Sequence, residues 1–212
     1  LRSGKTRWEQ VLGGRIESSA CVSKCGNLVV VGCYDGGVYV LRSNTGEKHW
    51  AFTTEDAVKS SPTVDAGTGL LYIGSHDRHA YALDIYKKKC VWKAECGGAV
   101  FSSPCLSLVP HHLYCATLGG LLLALNPVWQ FTAGGPIFSS PCISALEQEL
   151  FFGSHDCFIY CCSMEGRLRW KFETTARVYA TPFAFRRHSG RSEALLAAAS
   201  TDGKLWILES QS

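Results

Sequence analysis

The sequence is poor in charge and has no long uninterrupted hydrophobic run. Its 212 residues carry a formal net charge of only +3 and are 18% charged and 46% hydrophobic, which is enough apolar material to bury a core. The longest apolar stretch, residues 113–129, is broken by glycines, Asn126 and Pro127, so no membrane-spanning helix is predicted. The basic stretches 87–89 and 186–187 are short, and no nucleic-acid partner is expected.

Targeting and processing signals are also missing. The chain begins at Leu1, without an initiator methionine or a signal-like segment, which indicates a piece of a longer polypeptide. It has no Asn-x-Ser/Thr acceptor. Its eleven cysteines are an odd number and many lie in apolar, strand-like runs, so reduced thiols and a cytoplasmic location are expected.

Short catalytic motifs are absent as well. The sequence contains no Cys-x-x-Cys, no His-Glu-x-x-His and no glycine-rich phosphate loop. One cluster that could carry chemistry occurs twice, because Gly-Ser-His-Asp stands at residues 74–77 and again at 153–156. Whether these are two half-sites of a metal or hydrolytic centre, or one repeated structural turn, depends on the repeat pattern of the chain.

An internal repeat of about 42 residues runs through the whole sequence. Five tryptophans are separated by 42, 42, 37 and 41 residues, at Trp8, Trp50, Trp92, Trp129 and Trp170. Ser-Ser-Pro or a related triplet keeps the same interval, at residues 18–20, 60–62, 102–104, 139–141 and 180–182. A polar or glycine-containing turn follows in phase at 34–36, 76–78, 118–120, 155–157 and 201–203.

Each repeat reads as four short strands, and no segment has a sustained helical period. Four-stranded units at this interval are typical of the blades of a β-propeller, so the predicted fold is all-β, a propeller with five repeats in one domain over residues 1–212. The ring is closed by the N-terminal strand or is part of a seven- or eight-bladed ring. The predicted blades are 11–53, 54–95, 96–132, 133–174, and 175–212 together with 1–10.

The repeat assigns the Gly-Ser-His-Asp segments to the turn between the second and third strands of a blade. A turn aspartate can accept a hydrogen bond from the backbone that follows it, and we expect this role for four residues, Asp35, Asp77, Asp156 and Asp202. His76 and His155 fall two blades apart, so a joint metal site is not predicted. No catalytic, cofactor-binding or metal-binding residue is assigned in this chain.

The pattern resembles the tryptophan-docking repeat of the quinoprotein (PQQ-like) propellers, with residues 80–92 and 38–50 closest to it. The resemblance implies that the five phased tryptophans pack between blades, whereas Trp206 is out of phase and aligns with Tyr39, Tyr81 and Tyr160. More narrowly, the cysteine-rich version with Ser-Ser-Pro-Cys units resembles the carboxy-terminal propellers of the beta-alanine-activating enzymes, an acyl-CoA-synthetase-like family also described as aminoadipate-semialdehyde dehydrogenase homologues. One departure is Asn126–Trp129, where the turn is five residues shorter than Asp84–Trp92.

This resemblance implies a function for the parent protein. In that family an adenylation domain and a phosphopantetheine carrier segment precede the propeller, so the parent is expected to be an ATP-dependent ligase. The chain itself is expected to be a non-catalytic binding or scaffold domain without a cofactor. Its expected partner is a protein, either the adenylation or carrier domain of its own chain or the acceptor of the activated amino acid; a rigid spacer is another possibility.

The enzymatic alternative is a remnant of a quinone-dependent dehydrogenase, or a redox domain. Quinoproteins of this kind use vicinal cysteines, for which Cys161–Cys162 is the candidate pair. The pair falls within a predicted third strand, where successive side chains point to opposite faces and packing explains both. Cys21, Cys105 and Cys142 share one first-strand position and are likewise expected to be packing residues near the axis, rather than ligands of a soft metal.

Overall fold

The computed structural model describes residues 3–108, 111–125, 129–144, 148–187 and 193–209. Within these ranges the chain forms nineteen β-strands and no helix, as the all-β prediction requires. The strands are β1 Cys21–Val22, β2 Leu28–Gly32, β3 Gly37–Arg42, β4 Lys48–Thr53, β5 Thr63–Val64, β6 Leu71–Gly74, β7 His79–Asp84, β8 Lys89–Glu95, β9 Cys105–Leu108, β10 His111–Ala116, β11 Leu121–Leu125, β12 Trp129–Thr132, β13 Cys142–Ser144, β14 Glu149–Gly153, β15 Phe158–Ser163, β16 Leu168–Glu173, β17 Phe183–Arg187, β18 Glu193–Ala199 and β19 Leu205–Glu209.

The strands form five antiparallel sheets in chain order. Sheets 1 to 4 have four strands each, β1–β4, β5–β8, β9–β12 and β13–β16, and sheet 5 has the three strands β17–β19. Neighbouring strands are consecutive in the chain, so each sheet is a meander. The first strands of adjacent sheets lie side by side, with β1 next to β5 and β13 between β9 and β17. This radial arrangement is a β-propeller, and it confirms the predicted fold class.

The hydrophobic core lies between the sheets. The second strands β6 and β14 are buried along their whole length, because a neighbouring sheet covers each of their faces. The fourth strands β8 and β16 alternate between exposed and half-buried residues, as expected at the outer edge of a blade. Four core clusters result, and each one joins the buried side chains of two consecutive sheets.

The two ends of the described chain differ from the regular pattern. Residues 3–10 form no strand, although the Trp8 indole nitrogen donates to the Ser43 carbonyl oxygen at 2.9 Å. In sheet 5 the described residues include no strand paired with the outer edge of β19, where Leu205 and Ile207 are 69% and 53% exposed. The short turn predicted at 126–128 lies outside the described residues.

Candidate functional site

One end of the sheets collects most of the repeated polar residues. In an antiparallel meander the turn from second to third strand and the connection from fourth strand to the next first strand lie at the same end. We call this end of the sheets the row end, because a row of aromatic side chains lies along it. The Ser-Ser-Pro triplets, the Gly-Ser-His-Asp segments and the turn aspartates all lie here, so this is where side chains from successive sheets can meet.

The two serines of the triplet have different partners. The first serine bonds within its own sheet, at the end of the second strand: the Gly74 N–H donates to Ser60 Oγ at 3.2 Å, and the Gly153 N–H donates to Ser139 Oγ at 2.7 Å. The second serine links neighbouring sheets, because its hydroxyl accepts from the equivalent backbone N–H of the preceding sheet. The donor and acceptor pairs are Ser19 to Ser61 (2.8 Å), Ser61 to Ser103 (3.2 Å), Ser103 to Ser140 (2.9 Å) and Ser140 to Thr181 (3.1 Å).

The turn aspartates hold their hairpins closed. Asp77 accepts from the His79 N–H at 3.0 Å and from the Tyr81 hydroxyl at 2.6 Å, and it also accepts from the Glu55 N–H at 3.0 Å. Burial opposes ionisation of this carboxyl, but these donations outweigh burial and hold the pKa of Asp77 below its ordinary value. Asp77 therefore ties its own turn to the connection from the preceding sheet.

The other three aspartates follow the same pattern with local changes. Asp35 accepts from the Tyr39 hydroxyl, and Asp156 from the Tyr160 hydroxyl, each at 2.5 Å. In sheet 5 an indole stands where the tyrosine does, so Trp206 Nε1 donates to Ser200 Oγ at 3.2 Å, and that serine donates to Asp202 at 2.5 Å. In sheet 5 the Ser200 hydroxyl therefore connects the indole to the aspartate.

The glycine of each Gly-Ser-His-Asp segment allows the next sheet to approach. A Cβ on Gly74 would lie 2.2 Å from Val100 Cγ1, and a Cβ on Gly153 would lie 2.1 Å from Val178 Cγ1. Both valines are completely buried. The segment is therefore a sheet-to-sheet contact and a hairpin turn, and its two copies do not combine into one centre.

The phased tryptophans lie at the seams between sheets. Four of them pack against clusters that join their own sheet to the next: Trp50, Trp92, Trp129 and Trp170. Trp129 Nε1 donates to the Met164 carbonyl oxygen at 2.9 Å, as Trp8 does to Ser43. Gly46 and Gly166 lie under these two indoles, at φ +77° and +82°, and a Cβ at either position would collide with the ring.

Five rings form a continuous row along the row end of sheets 2 to 5. We call these residues the aromatic row: His76, Phe101, Phe138, His155 and Tyr179. Ring centroids are 6.2 Å apart for His76 and Phe101, and 5.3 Å for Phe101 and Phe138. His155 stacks on Phe138 at 4.3 Å and contacts Tyr179 at 4.2 Å. In sheet 1 the equivalent ring, Tyr34, is covered by cations instead, with Lys59 Nζ 4.7 Å from its centroid.

The two histidines of the row are held neutral. Burial lowers the pKa of both, and the nearby charges of Lys59 at His76 and Arg177 at His155 add to that effect. The Nε2 atom of each is buried and has no hydrogen-bond partner among the described residues. Their backbones are fixed, because the His76 N–H donates to the Ala57 carbonyl and the His155 N–H to the Pro136 carbonyl, each at 2.9 Å.

The cysteines that could have formed a redox or metal centre pack separately. Cys161 belongs to the cluster between sheets 4 and 5, and Cys162 to the cluster between sheets 3 and 4, which confirms that they point to opposite faces. Burial raises the pKa of Cys162 to about 12 and that of Cys105 to about 12. Both thiols are therefore protonated at neutral pH and unsuited to nucleophilic attack.

Cys105 and Cys142 lie on the first strands and line a groove of about 660 Å³ together with Met164 and Phe183. The described residues contain no group of three or more histidine, cysteine or acidic side chains that could hold a metal ion. Nor do they contain a helix of the length and apolarity needed to cross a bilayer.

The repeat assigned each residue of the aromatic row to a position in its sheet but did not show that the five side chains are in contact. Their contact arises because the residue before a triplet (Phe101, Phe138 or Tyr179) lies beside the first residue of a turn (His76 or His155). The available signal was the recurrence of an aromatic residue immediately before the triplet in three consecutive repeats.

Comparisons with known proteins place the chain in a family. A family model described as "Beta-alanine-activating enzyme, beta-propeller" matches residues 1–128. The human beta-alanine-activating enzyme is 64% identical over 259 residues, a match covering 99% of this chain and 23% of the human protein. The mouse enzyme is 82% identical over 66 residues, covering 31% of this chain and 6% of that protein. The chain therefore spans less than a quarter of the human relative's length.

Among solved structures, BamB from Moraxella catarrhalis superposes with a TM-score of 0.73 at 16% sequence identity. The match covers 98% of this chain and 64% of BamB. At this identity the likeness concerns the fold alone. It supports the arrangement of sheets described above.

Proposed function

Because the chain belongs to the beta-propeller family of the beta-alanine-activating enzymes, we propose that it is the protein-binding propeller of a larger ATP-dependent ligase. In this proposal the adenylate-forming and thioester-forming steps, with their ATP and phosphopantetheine, take place in other parts of the parent protein. The propeller binds the adenylation or carrier domain of its own polypeptide, or the acceptor of the activated amino acid, and carries out no chemistry itself.

The aromatic row is the observation that supports this proposal. Tyr179 at one end of the row is 46% exposed and contacts both Phe138 and His155, so the row presents an aromatic surface on a rigid support. Aromatic side chains with a polar tip are enriched where proteins bind one another, because they bury a large apolar area at small cost in side-chain entropy. Hydrogen bonds from every sheet fix the backbone beneath the row, so little ordering is needed on binding.

The test compares two tyrosines in the full-length parent protein. Tyr179→Glu should weaken cross-linking between the propeller and the catalytic region at least several-fold. Tyr86→Glu is the matched control, since Tyr86 is 45% exposed but lies in the turn between β7 and β8, at the opposite end of its sheet. Circular dichroism melting of both variants checks that they fold. Equal cross-linking in the two variants and the wild type would reject the catalytic region as the partner that the row binds.

We also propose that the chain holds no cofactor and acts in the cytoplasm. All eleven cysteines are free thiols, as is usual in a reducing compartment. A ligand that binds only the folded state raises the melting temperature, so pyrroloquinoline quinone with calcium distinguishes this proposal from the quinone-dependent alternative. We expect no shift in melting temperature; a reproducible rise that requires both additives would favour the redox function.

A further inference from the structure

The alignment with the human relative is longer than the chain. It runs over 259 positions, whereas the chain has 212 residues, so the human protein has at least 47 residues within the aligned stretch that this chain lacks. That number is close to the 42-residue repeat interval. The difference is therefore about the size of one blade.

The spacing of the tryptophans shows where these residues belong. Trp92 and Trp129 are 37 residues apart, while the intervals on either side are 42 and 41. Adding the minimum of 47 residues to this interval of 37 gives 84, which equals two intervals of 42. The family match also ends at residue 128, immediately before Trp129. The tryptophan spacing and the end of the family match both point to the stretch between Leu125, at the end of β11, and Trp129, at the start of β12.

The contacts across this place are as regular as those elsewhere. β12 pairs with β11 from Leu121–Thr132 to Ala124–Trp129, and Trp129 has the same 2.9 Å indole bond to the next sheet that Trp8 has. The link from the Ser103 N–H to Ser140 Oγ, at 2.9 Å, lies within the 2.8–3.2 Å range of the other links. Such regularity is expected if the missing residues begin and end at equivalent positions of two successive repeats.

We infer that this chain is a form of the propeller that lacks one whole blade, removed in phase between the third and fourth strands. Sheet 3 is then a composite, in which β9–β11 come from one repeat and β12 from the following repeat. The inference also concerns the aromatic row. Phe101 and Phe138 have centroids 5.3 Å apart because sheets 3 and 4 are neighbours, and an intervening blade would separate them. The direct contact between Phe101 and Phe138 therefore exists only in this shorter form.

This inference does not depend on the proposed function, and stability measurements test it. The human block that the chain lacks is inserted between Leu125 and Trp129, and a scrambled block of the same composition is the control. A genuine blade adds buried surface, so the urea m-value should rise by roughly one-fifth, as expected for six sheets in place of five. The scrambled block should leave the m-value unchanged, because a loop buries little.

A double-mutant cycle reports on the row itself. In the present chain and in the scrambled control, the melting-temperature losses of Phe101→Ala and Phe138→Ala should be non-additive, since the rings touch. With the human block the two losses should become additive, because the rings no longer meet. Coupling that persists with the human block, or an unchanged m-value, would show that the extra human residues are scattered among loops and would overturn the inference.

Discussion

Sheets 2 and 4 contain the same tetrapeptide, Gly-Ser-His-Asp, and three of its four residues make equivalent contacts in the two copies. Each glycine faces a buried valine of the next sheet at just over 2 Å from its missing Cβ, and each aspartate accepts from a tyrosine hydroxyl, at 2.6 Å in sheet 2 and 2.5 Å in sheet 4. Each serine accepts from the aspartate backbone N–H, at 3.2 and 3.3 Å.

The histidines differ because their neighbours differ. His76 has one ring within reach, Phe101 at 6.2 Å, and its own sheet contributes Lys59 at the position before the triplet. His155 lies between Phe138 of its own sheet and Tyr179 of the next, at 4.3 and 4.2 Å. The comparison shows that a short sequence fixes its own turn, whereas the surroundings of the histidine side chain come from residues farther along the chain, in its own sheet and in the next.

The largest expected effect comes from the tryptophans that join these two sheets to the next. Trp92→Ala and Trp170→Ala should each lower the free energy of unfolding by about 3–5 kcal/mol, because each leaves a cavity between two sheets. Val91→Ala and Leu168→Ala, at exposed positions on the same strands, are the controls and should stay within about 0.5 kcal/mol of the wild type. Urea unfolding monitored by circular dichroism measures all four; equal losses at the control positions would contradict the docking role.

A second experiment tests the glycine contacts that the two sheets share. Gly74→Ala and Gly153→Ala should each cost about 1–3 kcal/mol, because the added methyl overlaps Val100 or Val178. Combining each change with Val100→Ala or Val178→Ala should give less than the sum of the two separate losses, since the smaller side chain makes room. Strictly additive losses in the unfolding free energy would mean that the valines do not limit the approach.

The aspartate and tyrosine pairs offer a smaller effect with a defined pH dependence. Tyr81→Phe should cost about 1–2 kcal/mol at pH 7, because it removes a hydrogen bond to an ionised carboxylate. The pKa of Asp77 is lowered in the folded protein, so this contribution is complete above the unfolded value of about 4 and is lost as the pH falls through the folded value. The difference in melting temperature between wild type and variant should therefore shrink progressively as the pH is lowered below the unfolded value of about 4; a constant difference would contradict the assignment.

The smallest effect distinguishes the two histidines directly. Both have a lowered pKa in the folded state, so the unfolded chain binds protons first and stability falls as the pH drops below about 6.5. His155→Phe should keep the stack on Phe138 and Tyr179 and flatten the decline in melting temperature between pH 7.5 and 5.5. His76→Phe should flatten it as well but gain less stability at pH 7.5, since only one ring is nearby. An unchanged slope in both variants would exclude the histidines as its source.

Much of the fold could be predicted from sequence, because it depends on short-range patterns. The alternation of β-branched and aromatic residues predicted the strands, and the interval between Trp50 and Trp92 predicted the size of a sheet. Trp206 was aligned with Tyr81 and Tyr160, and in the structure it packs edge-on against Phe172 at 5.1 Å, as those tyrosines pack against Phe52 and Phe131. The position of Trp206 within the third strand of its repeat was sufficient for that alignment.

The candidate site could not be predicted in the same way. The Ser-Ser-Pro triplet marked the start of each repeat. Its sequence did not indicate that the first serine hydroxyl bonds within its own sheet and the second bonds to the neighbouring sheet. The aromatic row joins Phe101 to Phe138, which are 37 residues apart, and so depends on which sheets are neighbours. A change in the number of repeats alters such contacts without altering any turn.

By itself the sequence determined the strands, the hairpin turns and the position of one indole per sheet, since each follows from residues that are close along the chain. Only the tertiary structure decided the partners of the second serines, the surroundings of His76 and His155, and the continuity of the row. The physical reason is that hydrogen bonding within a hairpin is local, whereas side-chain packing between sheets depends on how successive repeats stack around the axis.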